Sequence, residues 1–152
     1  DLTKIDTLIF FDKYIENQIY SNNKFKLIQK GSDLGECMYK AFVYCKQKGY
    51  KNIIIIGNDC PYIKADMIHN AFKKLDGNSY VIGPCVDGGY YLLGMSKINE
   101  SLFKNKEWGT NTVLIDSIND IKATNESYFL LEELKDIDYY DDWIEYENQR
   151  NI

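Results

Sequence analysis

The chain has 152 residues, enough for one domain, and no linker, low-complexity stretch or internal repeat divides it. Hydrophobic residues make up 45% and charged residues 27%, with 13 Tyr, 7 Phe and 2 Trp, which excludes an intrinsically disordered chain. The formal net charge is −5, and the 18 basic residues are lysines apart from Arg150 and form no block, so no nucleic-acid partner is expected. The longest aliphatic run, Ile53–Ile56, is far short of the ~20 residues a membrane span needs.

In chain order, Thr7–Phe11 is a short β-rich run and reads as a strand. Asn22-Asn23 marks a turn, and Phe25–Gln29 reads as a second short strand. Gly31-Ser32-Asp33 punctuates the chain, and Leu34, Met38, Ala41, Phe42 and Cys45 then follow helical spacing. Ser32 or Asp33 caps this helix, Glu36 lies in its first turn, and Gly49 ends it. Asn52–Ile56 has the apolar β-branched character of a strand buried on both faces of a parallel sheet. After the turn Gly57–Pro61, a helix from about Lys64 carries Met67, Ile68, Ala71, Phe72 and Leu75 as its apolar stripe. Tyr80–Ile82 reads as a buried strand broken by Gly83-Pro84, and Asp87-Gly88-Gly89 turns the chain into a strand Tyr90–Gly94. Further on come a helical turn at Glu100–Phe103 and a helix capped by Thr110 that runs to about Lys122. A strand Tyr128–Leu131, an extended Asp136–Asp138 and a helix Tyr140–Asn148 complete the chain. Alternating helix and strand predict an α/β domain with a mainly parallel sheet, whose ligands bind at the carboxyl ends of the strands.

Two turns leave strands at that edge, placing Asp59 and Asp87 on one rim. A carboxylate at Asp59 can ligate Mg²⁺ or Mn²⁺, which prefer oxygen ligands and substrate phosphates; a turn Asp bonded to its own backbone is the competing reading. For Asp87, with Gly88 and Gly89 behind it, spacing favours a hairpin turn, and the glycines also let backbone approach a ligand closely. Asp33 lies where helix N–H groups could hold an anion, but an acid there favours plain capping. Asp136 and Asp138, with Asp141 and Asp142, form an acidic cluster that suits either a cation or a solvated helix start. Trp108 and Thr110 could stack on and hydrogen-bond a base or sugar, although a tryptophan is more often core. Cys37, Cys45, Cys60 and Cys85 contain no CxxC pair, and Cys60 and Cys85 read as small buried hydrophobes rather than metal ligands. Reduced thiols in a cytoplasmic protein are the default expectation.

Several blocks in register resemble one family. They are Gln29–Glu36 ("Q-x-G-x-D-L-G-E"), Ile55–Pro61 ("IGSDCP") and Ile82–Gly94 ("GPAxDGGYYLLG"). Leu102-Phe103 with Trp108–Thr110 ("LF…WST") and Asp136–Asp138 with Asp141–Trp143 ("DIDxxEDW") continue the pattern. The family is a bacterial group of glycosyltransferase-A-type proteins, often labelled arsenosugar biosynthesis glycosyltransferase, and is similar to nucleotidyltransferases of the molybdenum-cofactor kind. The resemblance implies a three-layer, Rossmann-like nucleotide-diphospho-sugar transferase fold acting with Mg²⁺ or Mn²⁺ on a nucleotide-sugar and a small-molecule acceptor. It implies a metal at Asp59, with Asp138 as a weaker second contact. Asp87 then lies on the acceptor side, where it is expected, with Asp59, to be catalytic by orienting an acceptor hydroxyl or acting as general base, and Asp33, Gly57, Gly88, Gly89, Tyr90, Trp108 and Thr110 line the substrates. Two departures stand out. The family's opening strand and basic "K-x-P-x-x-G-x-V-K-T-R-L" loop have no counterpart, so one βα unit is expected upstream; and Cys37 stands where the family usually has a basic residue. The alternatives are nucleotidyl transfer to a phosphorylated acceptor, and a non-catalytic remnant that binds a ligand or partner. No sequence feature points to an oligomeric state.

Overall fold

A computed structural model describes residues 5–18, 25–137 and 139–150, so the turn read at Asn22-Asn23 and the candidate ligand Asp138 lie outside the described residues. Strands β1 (Leu8–Phe11) and β2 (Phe25–Ile28) pair in parallel as a two-stranded sheet. Helix α1 (Leu34–Gln47) leads to β3 (Ile53–Ile56), α2 (Ala65–Leu75), β4 (Tyr80–Pro84) and β5 (Tyr90–Met95). A 3-10 turn at Glu100–Phe103, α3 (Val113–Ala123), β6 (Tyr128–Leu130) and α4 (Tyr140–Arg150) follow.

The main sheet has the order β3-β5-β4-β6 and is mixed. β5 runs antiparallel to both β3 and β4, while β6 is parallel to β4. The expectation of a mainly parallel sheet is therefore corrected. The Asp87-Gly88-Gly89 hairpin sends β5 straight back beside β4, and β5 occupies the place where a parallel neighbour of β3 would lie. A second correction concerns β3. Among the described residues it pairs on one side only, so Ile53 is buried, Ile54 and Ile55 are half-buried, and Ile56 is exposed. Such an edge position removes the double-sided burial its composition suggests.

Helices cover both faces. One core joins Phe42 and Cys45 of α1, Tyr80, Ile82, Leu93 and Met95 of the sheet, Leu102 and Phe103, and Ile118 and Ile121 of α3. The other joins Ala71 and Leu75 of α2 to Val81, Tyr91, Leu92, Cys60 and Cys85. Alternation along β4 explains the split, because successive side chains of a strand point to opposite faces.

β5 breaks that alternation once. Gly83 pairs with Leu92 and Pro84 with Tyr90, which leaves Tyr91 as an extra residue. Gly83-Pro84 thus stays within β4 instead of ending it, and the irregularity is absorbed by a bulge opposite. The bulge turns Tyr91 onto the same face as Leu92. Its ring covers Gly83, where any Cβ would collide with it, and its hydroxyl donates to the Glu132 carbonyl at 3.0 Å.

The helix ends follow local chemistry. At α1 the Asp33 carboxylate accepts from the Glu36 N–H at 2.8 Å, while Glu36 reaches back to the Ser32 N–H at 2.7 Å. This reciprocal cap satisfies donors that the first helical turn leaves free. α3 begins at Val113 rather than directly after Thr110. The Thr110 hydroxyl donates instead to the Glu107 carbonyl at 2.7 Å and closes the turn before the helix.

Packing at Gly83 gives a direct test. Gly83→Ala should destabilise the chain by about 1–3 kcal/mol through overpacking against the Tyr91 ring, lowering the urea midpoint at unchanged slope. An unchanged midpoint would show that the ring does not hold the bulge.

Candidate functional site

The turns after β3 and β4 share one edge of the sheet, and the stretch leaving β6 runs along it. The Leu131 N–H donates to the Ile82 carbonyl at 2.8 Å, Leu134 to Pro84 at 3.0 Å, and Val86 returns a bond to Leu134 at 3.1 Å. The chain then crosses to the end of β3, where the Ile137 N–H donates to the Asp59 carbonyl at 2.9 Å. The Cys60 thiol reaches the Lys135 carbonyl at 3.6 Å. Asp136 is thereby carried between the two turns, half-buried.

Asp136 meets Asp87 and Cys85 there. One ligand atom from each of the three lies within 4.8 Å of the others. Asp87 is exposed and Cys85 is 3% exposed. The hairpin fixes Asp87: its carboxylate accepts from the Gly89 N–H at 2.8 Å, and Cys85 and Gly89 are bonded at 3.0 Å. Gly88 has φ +91, a conformation that favours glycine, and the Asn111 backbone occupies the space of any Cβ. Its carbonyl accepts from the Leu114 N–H at 2.9 Å, so the hairpin is docked on the start of α3.

Asp59 is exposed beside this group but not within it. Its carboxylate folds back over Gly57, one oxygen sitting 2.5 Å from where a Cβ would be. Gly57 itself donates to the Tyr91 carbonyl at 3.0 Å, so the turn is tied to β5. Electrostatically the groups form one neighbourhood. Burial, then Asp136 beside it, pushes the Cys85 thiol well up, and Cys60 is raised by burial with smaller contributions from Asp136 and Asp59. Both thiols are therefore neutral.

The other candidates are not part of this group of ligand atoms. Asp33 is the cap of α1, its carboxylate accepting from the Glu36 N–H. Trp108 is half-buried against the first turn of α1, its indole edge filling the space beside Gly35, and it packs on the core with Phe103. Thr110 bonds within its own turn and to the Thr112 hydroxyl at 3.1 Å. Tyr90 begins β5 and turns inward; its hydroxyl is buried without a partner among the described residues, and burial raises its pKa. Asp142 is engaged with Lys135 at 2.9 Å and caps α4 through the Tyr139 N–H at 3.0 Å.

Spacing left Asp136 as one acid in a surface cluster and Cys85 as a filler. A signal was present in Leu131, Leu134 and Ile137, apolar at every third residue, which is the mark of an irregular stretch lying along a core. All three are half-buried.

The chain belongs to a family described as an uncharacterized protein conserved in bacteria (DUF2064), whose profile matches residues 2–110. The match takes in Asp59 and Asp87 and stops short of Asp136. The fold is similar to the crystal structure of a "putative nucleotide-diphospho-sugar transferase" from Desulfovibrio desulfuricans G20, with TM-score 0.82 and 25% identity. The similarity covers 94% of this chain and 64% of that one, so this chain spans under two thirds of its relative's length. A search of curated proteins gives no match. Among the described residues no helix is long and apolar enough to cross a membrane.

The α1 cap carries a pH prediction. Glu36 is bonded by Lys40 at 2.6 Å and by Ser32, and its pKa falls from 4.5 to about 2, Lys40 being the larger cause. A folded-state pKa below the unfolded one gives stability that is complete above 4.5 and is lost as pH falls towards about 2. Melting curves of the chain and Glu36→Gln should therefore differ at neutral pH and converge across that window. A gap that persists at its acid end would contradict the assignment.

Proposed function

We propose that the chain is the core of a metal-dependent transferase acting on a nucleotide-activated sugar, with its site on the rim formed by the turns after β3 and β4. The observation that carries this reading is the convergence of Asp59, Asp87 and Asp136 from three separate segments at the carboxyl ends of the strands. Open α/β sheets bind ligands at that edge. The structural likeness to the Desulfovibrio protein supports the substrate class.

Asp59 suits the ion. The missing Cβ of Gly57 makes room for its carboxylate at the end of β3, and its oxygens match the preference of Mg²⁺ or Mn²⁺. When bound, such an ion supplies charge neutralisation for a leaving nucleoside diphosphate. Asp59 would hold it, and Asp87 and Asp136 would line the acceptor side. The docked hairpin keeps Asp87 fixed relative to α3, so that an acceptor hydroxyl meets a positioned carboxylate rather than a mobile one.

A thermal-shift panel of UDP-, GDP- and CDP-linked sugars with and without Mn²⁺ tests the reading. A donor at 100 times its dissociation constant stabilises the native state by about 2.7 kcal/mol, a visible shift. One donor should stabilise the chain in the presence of Mn²⁺, and Asp59→Asn should abolish that shift while keeping its fold by circular dichroism. A folded chain stabilised by no donor, or an Asp59→Asn variant with the full shift, would overturn the proposal. In the active case nucleoside diphosphate is released; pyrophosphate release would point instead to nucleotidyl transfer.

A further inference from the structure

We propose that Cys85, Asp87 and Asp136 form a site for a divalent transition metal of the zinc class, held by two carboxylates and by the Cys85 sulfur, whose proton is released to solvent as the ion binds. This site does not include Asp59; it takes Asp87 and Asp136, the acceptor-side carboxylates of the transferase reading, and adds Cys85, so it assigns that side of the rim a metal of its own.

Geometry is the first support. The three ligand atoms already lie within 4.8 Å of one another with no ion between them. A tetrahedral zinc ion spaces sulfur and oxygen ligands about 3.4–3.6 Å apart, which small side-chain rotations reach from here.

The second support is the sulfur. Cys85 is 3% exposed, and among the described residues no main-chain group is bonded to its thiol; what it faces is the carboxylate pair. Cys60, equally buried, shows the contrast, for its thiol is occupied by the Lys135 carbonyl. Without a metal, the Cys85 thiol is a hydrogen-bond donor to the Asp136 carboxylate; a bound ion would replace that shared proton and take both groups as ligands together with Asp87.

The third support is that each ligand is held by its own backbone anchor. Cys85 is bridged to Leu134, Asp87 is locked by the Gly89 N–H, and Asp136 lies between the Lys135 and Ile137 anchors. The ligands are thus preorganised, and metal binding need not fold the loop.

A thiolate selects zinc-like ions over Mg²⁺, which takes oxygen ligands alone. Three protein ligands leave one coordination position open, and Asp87, the exposed member, marks the side from which an oxygen of a bound molecule would fill it.

Co²⁺ serves as the probe. The whole chain, cleared of metal with a chelator, is titrated with Co²⁺ while its near-ultraviolet absorption is followed. A thiolate-to-cobalt charge-transfer band should saturate at one ion per chain and be displaced by Zn²⁺. It should disappear in Cys85→Ser. In Asp136→Asn, Co²⁺ affinity should fall by at least the roughly tenfold to hundredfold that even an outer-shell change costs a metal site. Asp59→Asn should keep the band, which separates this site from the donor site. A folded chain that binds no Co²⁺, binds it without the band, or keeps the band in Cys85→Ser would overturn the proposal. Should Cys85→Ser fail to fold, the wild-type band and the Asp136→Asn affinity decide between the same two outcomes.

Discussion

A seam of main-chain hydrogen bonds between residues 131–137 and the ends of β3 and β4 holds the candidate site together. Leu131 continues the parallel pairing of β6 with β4, Leu134 exchanges bonds with Pro84 and Val86, and Ile137 closes on Asp59. Side chains reinforce the seam at two points, the Tyr91 hydroxyl on Glu132 and the Cys60 thiol on Lys135. None of these contacts is local in sequence. Each buried main-chain group that this irregular stretch carries would otherwise lack a partner, and such groups are costly to leave unmet. The need to satisfy them brings Asp136 to Asp87 and keeps it there.

The hairpin after β4 sets the spacing of what the seam joins. Because β5 runs back between β3 and β4, those two strands are separated by two strand spacings, about 9.5 Å. Asp59 and Asp87 come one from each turn, and Asp136, carried between the turns, joins Asp87 and Cys85 within 4.8 Å. The Tyr91 bulge follows from the same arrangement. One extra residue in β5 places a large ring over Gly83 and delivers its hydroxyl to the seam, which only a strand directly beside β4 could do.

Much of this was legible in the sequence where the determinant is short-range. Helical spacing gave α1 and α2, the Asp33–Glu36 cap gave the start of α1, and Asp-Gly-Gly gave the β4–β5 turn. The placement of Asp59 and Asp87 at strand ends followed from those elements. What a local reading could not show was strand order. An all-isoleucine run looks the same at the edge of a sheet as at its centre, and whether Ile56 is covered depends on which strands flank it. Trp108 was equally ambiguous, since only the fold brings it against Gly35. Cys85 and Asp136 are 51 residues apart, and their meeting depends on an irregular segment whose only trace in the sequence is an apolar residue at every third position.

The electrostatics of the rim connect composition with chemistry. Asp59, Asp87 and Asp136 face a common edge, and the lysine next to Asp136 in the chain is turned away, its ammonium held by Asp142 at 2.9 Å and Glu145 at 2.6 Å. That pairing fastens α4 to the seam, and it also withdraws the nearest sequence-adjacent cation from the carboxylates. The two thiols at the rim are buried and neutral and offset none of the charge. A phosphate approaching this edge therefore meets like charge, in a chain whose basic residues include a single Arg. Among the described residues none of the three carboxylates has an ion-pair partner, and carboxylates gathered at one edge repel, so the seam must hold them against that repulsion. A divalent ion reverses both problems, because it relieves the crowded carboxylates and presents positive charge to an anionic ligand. The acidity of the chain as a whole and the crowding of acids at its strand-end rim are in this sense one property, seen first in composition and then in three dimensions.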